Sequence, residues 1–347
     1  MPKVPTRADR RNEKTSAAAV HEFASVSAAN AERPLGVAAS ALPGVVVRAY
    51  GKFFDVQLRD EDRVLLSTVK GTLKRERRRT DLVAVGDRVW VVDVGEGEGQ
   101  IEAVEPRRRV LARPARNTED VEQVILANPD QVLLTFAVRH PEPHRRMLDR
   151  FLVLAEFAGL PAIIGVNKMD LDTVGPDGVP LSKSIFGDYE KVYPVLYLSA
   201  KTKQGFDDLR DVLAGKITPV AGPSGVGKSS LLNDLDPEGR RAIAEISTAT
   251  GKGRHTTTAT QLYRLDPDTF IADTPGIRAL AMHGVPPDEL DRCFPELRPW
   301  LGDCFYSDCT HLHEPGCAVR DALEQGKIAP QRYESYAALR RGDAGEA

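Results

Sequence analysis

Hydrophobic positions along the 347-residue chain change their period twice. From Gly44 onward they form short β-branched runs at residues 45–47, 53–58, 64–66, 88–92 and 99–104, separated by glycine-rich or charged turns. Five short strands in about sixty residues predict a small closed barrel. The strand count suits an oligonucleotide-binding (OB) barrel; an SH3-like barrel would carry a similar pattern. After residue 117 the runs lengthen. Residues 131–138 are almost continuously apolar, as in a strand buried on both faces. Residues 144–158 follow with helical spacing up to Gly159, and residues 161–166 form a second buried strand. Strands alternating with helices predict a parallel sheet with crossover helices, an α/β domain. Helical patterns at 288–298 and 318–341 predict a small α-helical C-terminal unit. Residues 1–42, rich in Ala, Ser and Arg with no sustained apolar period, read as a disordered leader. The expected division is leader 1–42, barrel 43–112, α/β domain 117–283 and C-terminal domain 284–347.

Composition supports a globular multidomain chain, with 41% hydrophobic and 28% charged residues. No apolar run approaches the ~20 residues needed to span a bilayer. The N-terminus MPKVPTRADRRNEKTS lacks the apolar core of a signal peptide. A cytoplasmic monomer with no membrane partner is the expectation. The net charge of −3 conceals an asymmetry of +2 over residues 1–33, +4 over 34–116 and −9 over 117–347. Basic residues cluster at Lys70, Lys74, Arg75 and Arg77–Arg79, and again at Arg107–Arg109. Such clusters suit a polyanion footprint or a solvated loop.

Candidate chemistry begins at Gly222-Pro223-Ser224-Gly225-Val226-Gly227-Lys228-Ser229, followed by Ser230. Two glycines four residues apart and then Lys-Ser match the phosphate-loop pattern, between a predicted strand at 217–221 and a predicted helix at 229–235. Backbone N–H groups of such a loop wrap phosphates, and the helix start adds a favourable dipole. Lys228 is then expected at the outer phosphates, as a catalytic as well as a binding group, and the Ser229 hydroxyl at Mg²⁺.

Asn167-Lys168-Met169-Asp170 follows the apolar strand 161–166. A carboxylate at Asp170 can accept from both N1–H and the 2-amino group of guanine, whereas adenine offers no such pair. Ser199-Ala200-Lys201 follows a strand at 195–198, and the Ala200 amide is placed to donate to guanine O6. Asp273-Thr274-Pro275-Gly276 follows a strand at 269–272. Asp273 is expected at Mg²⁺ through water, and the Gly276 amide at the γ-phosphate. Between this motif and the phosphate loop lies Gly251-Lys252-Gly253-Arg254-His255-Thr256-Thr257-Thr258, a loop suited to ordering when a threonine reaches Mg²⁺. The sequence leaves the three threonines open; Thr257 is taken as the ligand.

The motif order is that of a circular permutation: the guanine motifs precede the phosphate loop, where ordinary GTPases place them last. Ile277 stands where many GTPases carry a water-positioning glutamine. His255 is the best local substitute, unless it packs or binds RNA phosphate instead. All four cysteines fall between Cys293 and Cys317. Cys304, Cys309 and Cys317 with His311 or His313 supply the donors of a closed tetrahedral Zn²⁺ site. Cys293, eleven residues upstream, reads as a buried thiol.

On the barrel, the order NKMD–SAK–GPSGVGKSS–GRHTTT–DTPG and the cysteine cluster, the chain from residue 43 onward resembles the circularly permuted ribosome small subunit-dependent GTPase A (RsgA) family. The resemblance implies His311 as the fourth ligand of one structural zinc, and implicates His255 in catalysis. It also implies slow GTP hydrolysis stimulated by the small (30S) ribosomal subunit, binding to its rRNA, and help in late maturation and release of an assembly factor. Two other classes fit the residues: an RNA-binding module holding GTP as a structural ligand, and a GTPase docking on a protein partner.

Overall fold

The computed structural model describes residues 33–71, 81–114, 122–236, 260–273 and 285–342. Five strands, β1 (Leu42–Tyr50), β2 (Phe53–Leu58), β3 (Val64–Val69), β4 (Arg88–Gly95) and β5 (Glu98–Val104), close into a barrel in the order β1-β2-β3-β5-β4. The β3–β5 pair is parallel and the β1–β4 pair antiparallel. A parallel neighbour requires a crossover, which a simple meander of hairpins does not make. The barrel is therefore of the OB type, and the SH3-like alternative falls away. Alternate residues point inward: Val46, Val56, Leu58, Leu65, Val89, Val91 and Ile101 are nearly inaccessible.

A hairpin of β6 (Val110–Pro114) and β7 (Glu122–Ala127), which the hydrophobic pattern does not reveal, follows the barrel. Here two members of the second basic cluster turn inward. The Arg107 guanidinium grips the buried Asp87 carboxylate at 2.7 Å, and Arg109 donates to the carbonyl of Asp130 at 3.1 Å.

The central sheet has six strands, β8 (Val132–Ala137), β9 (Ala162–Asn167), β10 (Val195–Tyr197), β11 (Ile217–Ala221), β12 (Gln261–Asp266) and β13 (Thr269–Asp273), in the order β10-β9-β8-β11-β13-β12. All neighbours are parallel except the edge pair β12–β13. Helices α1 (Arg145–Phe157), α2 (Leu181–Phe186), α3 (Phe206–Leu213) and α4 (Lys228–Leu235) accompany it. The two-residue period of β8 separates two apolar layers. Leu134 and Phe136 pack with Leu148, Phe151 and Leu152 of α1, while Leu133 packs with Leu209 of α3 and Leu231 and Leu232 of α4. Arg264 of β12 binds the barrel to this sheet by donating to the carbonyls of Leu58, Arg59 and Glu61 at 2.8–3.3 Å.

The C-terminal unit corrects two expectations. Residues 288–298 do not form one helix: two 3₁₀ turns, Leu290–Cys293 and Arg298–Trp300, replace it. Pro295 and Pro299 lack the N–H that a continuous helix needs. The pattern 318–341 divides into α5 (Ala318–Glu324) and α6 (Pro330–Arg341), parted at Gly326 (φ 70°) and restarted by Pro330. This unit shares a core with α1: Val153 lies among Leu290, Phe294, Leu297, Val319 and Tyr336. No helix among the described residues is long and apolar enough to cross a membrane.

Candidate functional site

The guanine-type motifs and the phosphate loop emerge together at the carboxyl ends of β9, β10 and β11, where open α/β sheets bind ligands. Gly222 opens the loop at φ 143°, and a Cβ there would lie 2.0 Å from the carbonyl oxygen of Thr135. Only glycine lets the loop pass so close to β8. Gly227 (φ 92°) precedes α4, and its missing Cβ leaves space for the Asn167 amide, which would otherwise be 2.4 Å away. The Lys228 ammonium folds over the loop and donates to the carbonyls of Gly222 (2.9 Å) and Pro223 (2.6 Å).

Asn167 joins three motifs. Its Nδ2 donates to the carbonyl of Val226 in the phosphate loop at 2.9 Å, and its Oδ1 accepts from the backbone N–H of Ala200 at 3.3 Å. Lys168, in the left-handed region at φ 64°, lays its ammonium on the Gly225 carbonyl at 2.7 Å and on the carbonyl of His140. The Met169 N–H donates to the Leu198 carbonyl at 3.0 Å, bringing the two guanine-type segments together. The Ser199 hydroxyl donates to Asp170 at 2.7 Å, with Lys201 3.7 Å from the other carboxylate oxygen. The Ser199 hydrogen bond, with help from Lys201, holds the Asp170 carboxyl below the usual carboxylate range. Asn167, Lys168, Asp170, Ala200, Lys201, Gly227 and Ser230 border a cavity of about 470 Å³. The cavity has the size of a small-molecule pocket.

Leu171 and Asp234 also line it, and neither stands out in the sequence. Leu171 simply follows the NKMD motif. Asp234 lies six residues after Lys228 on α4, where it pairs with Lys203. Helical spacing from the phosphate loop is the signal that points to it.

The C-terminal unit holds a second constellation. The ligand atoms of Cys304, Cys309, His311 and Cys317 all lie within 4.8 Å of one another. Cys304 Sγ is 3.4 Å from His311 Nδ1 and 3.9 Å from Cys317 Sγ, and Cys317 Sγ is 3.5 Å from the same nitrogen. These separations match the edges of a tetrahedron whose metal bonds are about 2.0–2.3 Å. The group fits a metal ion with three sulfur ligands and one nitrogen ligand. His311 is buried and His313 exposed, so the geometry selects His311. Asp291 faces the other His311 nitrogen at 3.7 Å, while Tyr333 and Tyr336 donate to the carbonyls of His311 and Thr310 at 2.6 and 2.7 Å. Cys293 stays outside the group. It is buried against the Glu289 carbonyl, and burial pushes its thiol up to about 12.

The family model of the RsgA GTPase matches residues 104–283, about half of the chain. The small ribosomal subunit biogenesis GTPase RsgA of Gemmatimonas aurantiaca is 44% identical over 300 residues, covering 86% of this chain and 96% of the relative. Its counterpart in Moorella thermoacetica is 40% identical over 295 residues, covering 85% and 95%. The chain belongs to the RsgA GTPase family. Two crystal structures carry the same architecture. YjeQ from Thermotoga maritima is matched at a TM-score of 0.69 with 35% identity, over 88% of this chain and all of that one. YloQ, described as a circularly permuted GTPase, is matched at 0.67 with 28% identity, over 91% and 100%.

In this RsgA-family chain, Asp273 ends β13 and pairs in register with Val220 of β11, one residue from the strand's end. The strand thus delivers it beside the phosphate loop. Gly276, Ile277, His255, Thr257 and the rest of the threonine loop lie outside the described residues, as do the leader residues 1–32 and the basic residues 74–79.

Proposed function

We propose that this chain binds and hydrolyses GTP on the small ribosomal subunit. The observation that carries the reading is the Asp170 carboxylate, tied to Ser199 at 2.7 Å within a cavity bounded by the phosphate-loop residue Gly227. An ionised carboxylate there accepts from guanine N1–H and the 2-amino group, a pair of donors that the adenine of ATP does not bring. Met169 and Lys201 complete the two base-facing segments. Backbone N–H groups between Gly222 and Ser230, of which Pro223 has none, hold the phosphates, with Pro223 and Ser224 shaping the turn. Lys228 exchanges its contacts with loop carbonyls for the outer phosphates, and the Gly276 amide meets the γ-phosphate. Ser229, Thr257 and Asp273 would hold Mg²⁺, which would supply positive charge to the phosphates. Water attacks the γ-phosphorus and the bond to the β–γ bridging oxygen breaks, releasing GDP and phosphate. His255 orients that water, because the Ile277 side chain has no hydrogen-bonding atom.

Three thiolates and one imidazole favour zinc at the C-terminal cluster, and with all four positions filled by protein the ion is structural. The relatives named as small-subunit biogenesis GTPases support the small subunit and its rRNA as partners. On this reading the chain is a cytoplasmic monomer that acts late in subunit maturation and assists release of an assembly factor. Its barrel begins no later than Leu42, the first residue of β1, rather than at 43; its GTPase domain is 117–283 and its zinc domain 284–347. The test is phosphate release from GTP and from ATP, with and without purified small subunits. Stimulation confined to GTP is expected. Turnover of GTP that small subunits leave unchanged would remove the ribosomal partner from the account.

A further inference from the structure

Residues 139–150 (RHPEPHRRMLDR) contain four arginines in a chain whose C-terminal two-thirds is net acidic. They form the loop that leaves β8 and the start of α1, beside the nucleotide cavity. Two basic residues from the clusters discussed above, Arg107 and Lys70, are committed to carboxylates, Asp87 and Glu102. The arginines of this loop and helix are not. Arg145 donates to the neutral Ser184 carbonyl at 2.5 Å and Arg139 to the Thr173 hydroxyl at 3.1 Å. The Nε of Arg139 is buried without a hydrogen-bond partner among the described residues. No carboxylate among the described residues forms an ion pair with Arg139, Arg145, Arg146 or Arg150. Of the two acids in the segment, Asp149 is turned inward onto Arg332, leaving only Glu142 outside.

α1 also begins with Arg145 and Arg146 and has no acidic residue in its first turn. The helix dipole disfavours that arrangement. Helix electrostatics therefore do not account for the cations, whereas a polyanionic partner would. Arg146 and Arg150 are four residues apart and share one face of α1.

We propose that the surface formed by Arg139, Arg145, Arg146 and Arg150 docks the phosphate backbone of RNA directly beside the nucleotide site. The inference rests on the ribosomal reading above and specifies which part of the GTPase domain meets rRNA. Charge complementarity favours phosphate over a protein surface. No large apolar side chain of residues 139–150 is among the exposed ones, so the face lacks the apolar anchor on which protein interfaces depend. The position matters as well. The His140 carbonyl accepts from Lys168 of the NKMD motif, and Pro141 lies 3.7 Å from where a Cβ of Gly225 would stand. RNA held on this face therefore bears on a loop that touches both the guanine-type motif and the phosphate loop.

The test uses the full-length chain, titrated with protein-free small-subunit rRNA and with intact small subunits across a series of salt concentrations. The double substitution R146A/R150A, at an exposed and a half-buried arginine, is expected to weaken binding to both by roughly tenfold at moderate salt. It should also flatten the dependence of log affinity on log salt by about one to two units. R146K/R150K should restore most of the loss, since a phosphate contact reads charge. R210A, which removes a cation already paired with Asp207, should change neither binding curve. GTP affinity and thermal midpoint should be unaltered in all three, which excludes misfolding. Unchanged rRNA and subunit binding in R146A/R150A overturns the proposal. So does a loss on intact subunits with rRNA affinity preserved, because the face would then meet a protein. If the unsubstituted chain bound neither rRNA nor subunits, the ribosomal reading would fail and this inference with it.

Discussion

The side-chain amide of Asn167 donates to the carbonyl of Val226 at 2.9 Å, joining the end of β9 to a phosphate loop 59 residues further along the chain. Val226 is 1% exposed, so its carbonyl depends on this partner. Base-reading and phosphate-binding elements are thereby held as one unit, although the chain order reverses the usual sequence of these motifs. Asn167→Ala should leave the buried carbonyl unpaired and release the Ala200 amide. A cost of about 1–3 kcal/mol follows, or roughly five- to 150-fold in nucleotide affinity. Titration with a fluorescent GDP analogue measures it, and affinity within twofold of the unsubstituted chain would show that the link is dispensable.

Arg332 of α6 meets Asp149 of α1 and Glu296 in a buried cluster completed by the hydroxyls of Ser335 and Tyr189. Burial opposes the charge on Arg332, but the two carboxylates outweigh it and keep the guanidinium protonated. Arg332→Ala should destabilise the chain by about 3–5 kcal/mol because two buried carboxylates lose their partner. Arg332→Met with Asp149→Leu and Glu296→Gln should recover much of that loss, since apolar replacements of similar volume need no counter-charge. Denaturant midpoints compare the two variants. Equal losses in both would mean that packing rather than charge holds α6 on α1.

Metal removal should act on the C-terminal unit first. Elemental analysis is expected to find one zinc per chain, retained in Cys293→Ser and lost in Cys309→Ser. Chelation should lower the thermal midpoint of the unsubstituted chain, because the ion is bound only by the folded segment. Loss of zinc in Cys293→Ser with retention in Cys309→Ser would reverse the ligand assignment.

On the proposed function, the Ser199 hydrogen bond should make nucleotide binding resistant to acid. It depresses the folded-state pKa of Asp170, so the carboxylate's contribution is complete above the ordinary value and is lost as pH falls through the lowered one. Guanine-nucleotide affinity should therefore decline only below the usual carboxylate range. In Ser199→Ala the same decline should begin at higher pH. Identical acid limbs in the two proteins would separate Asp170 from nucleotide binding.

Contiguous motifs with a fixed backbone role were legible in the sequence. The phosphate loop, NKMD, SAK and the Cys₃His spacing each lie within a few residues, and the structure brings the first three to one cavity and the fourth into one cluster. Strands β8 and β9 were equally clear, because burial on both faces leaves a nearly unbroken apolar run. What escaped depends on pairing across the chain. Arg332 and Asp149 are 183 residues apart, and neither carries a local sign of its partner. Arg107 looked like part of a polyanion footprint until its partner Asp87 was placed beside it. The helical period at 288–298 was real in the apolar positions, but Pro295 within it and Pro299 just beyond override it.

The account stands on Asp170 reading guanine. In Asp170→Asn the side-chain oxygen still accepts from N1–H, but the amide now meets the 2-amino group donor to donor. Xanthine, with a carbonyl at that carbon, suits the asparagine instead. Competition binding of GTP and xanthosine triphosphate to both proteins is the direct measurement. GTP affinity should fall by about a hundredfold and xanthosine triphosphate should become the preferred ligand, from the lost charged hydrogen bond and the mispaired donors. Unchanged GTP affinity in Asp170→Asn, with no gain for xanthosine triphosphate, would contradict the guanine pocket.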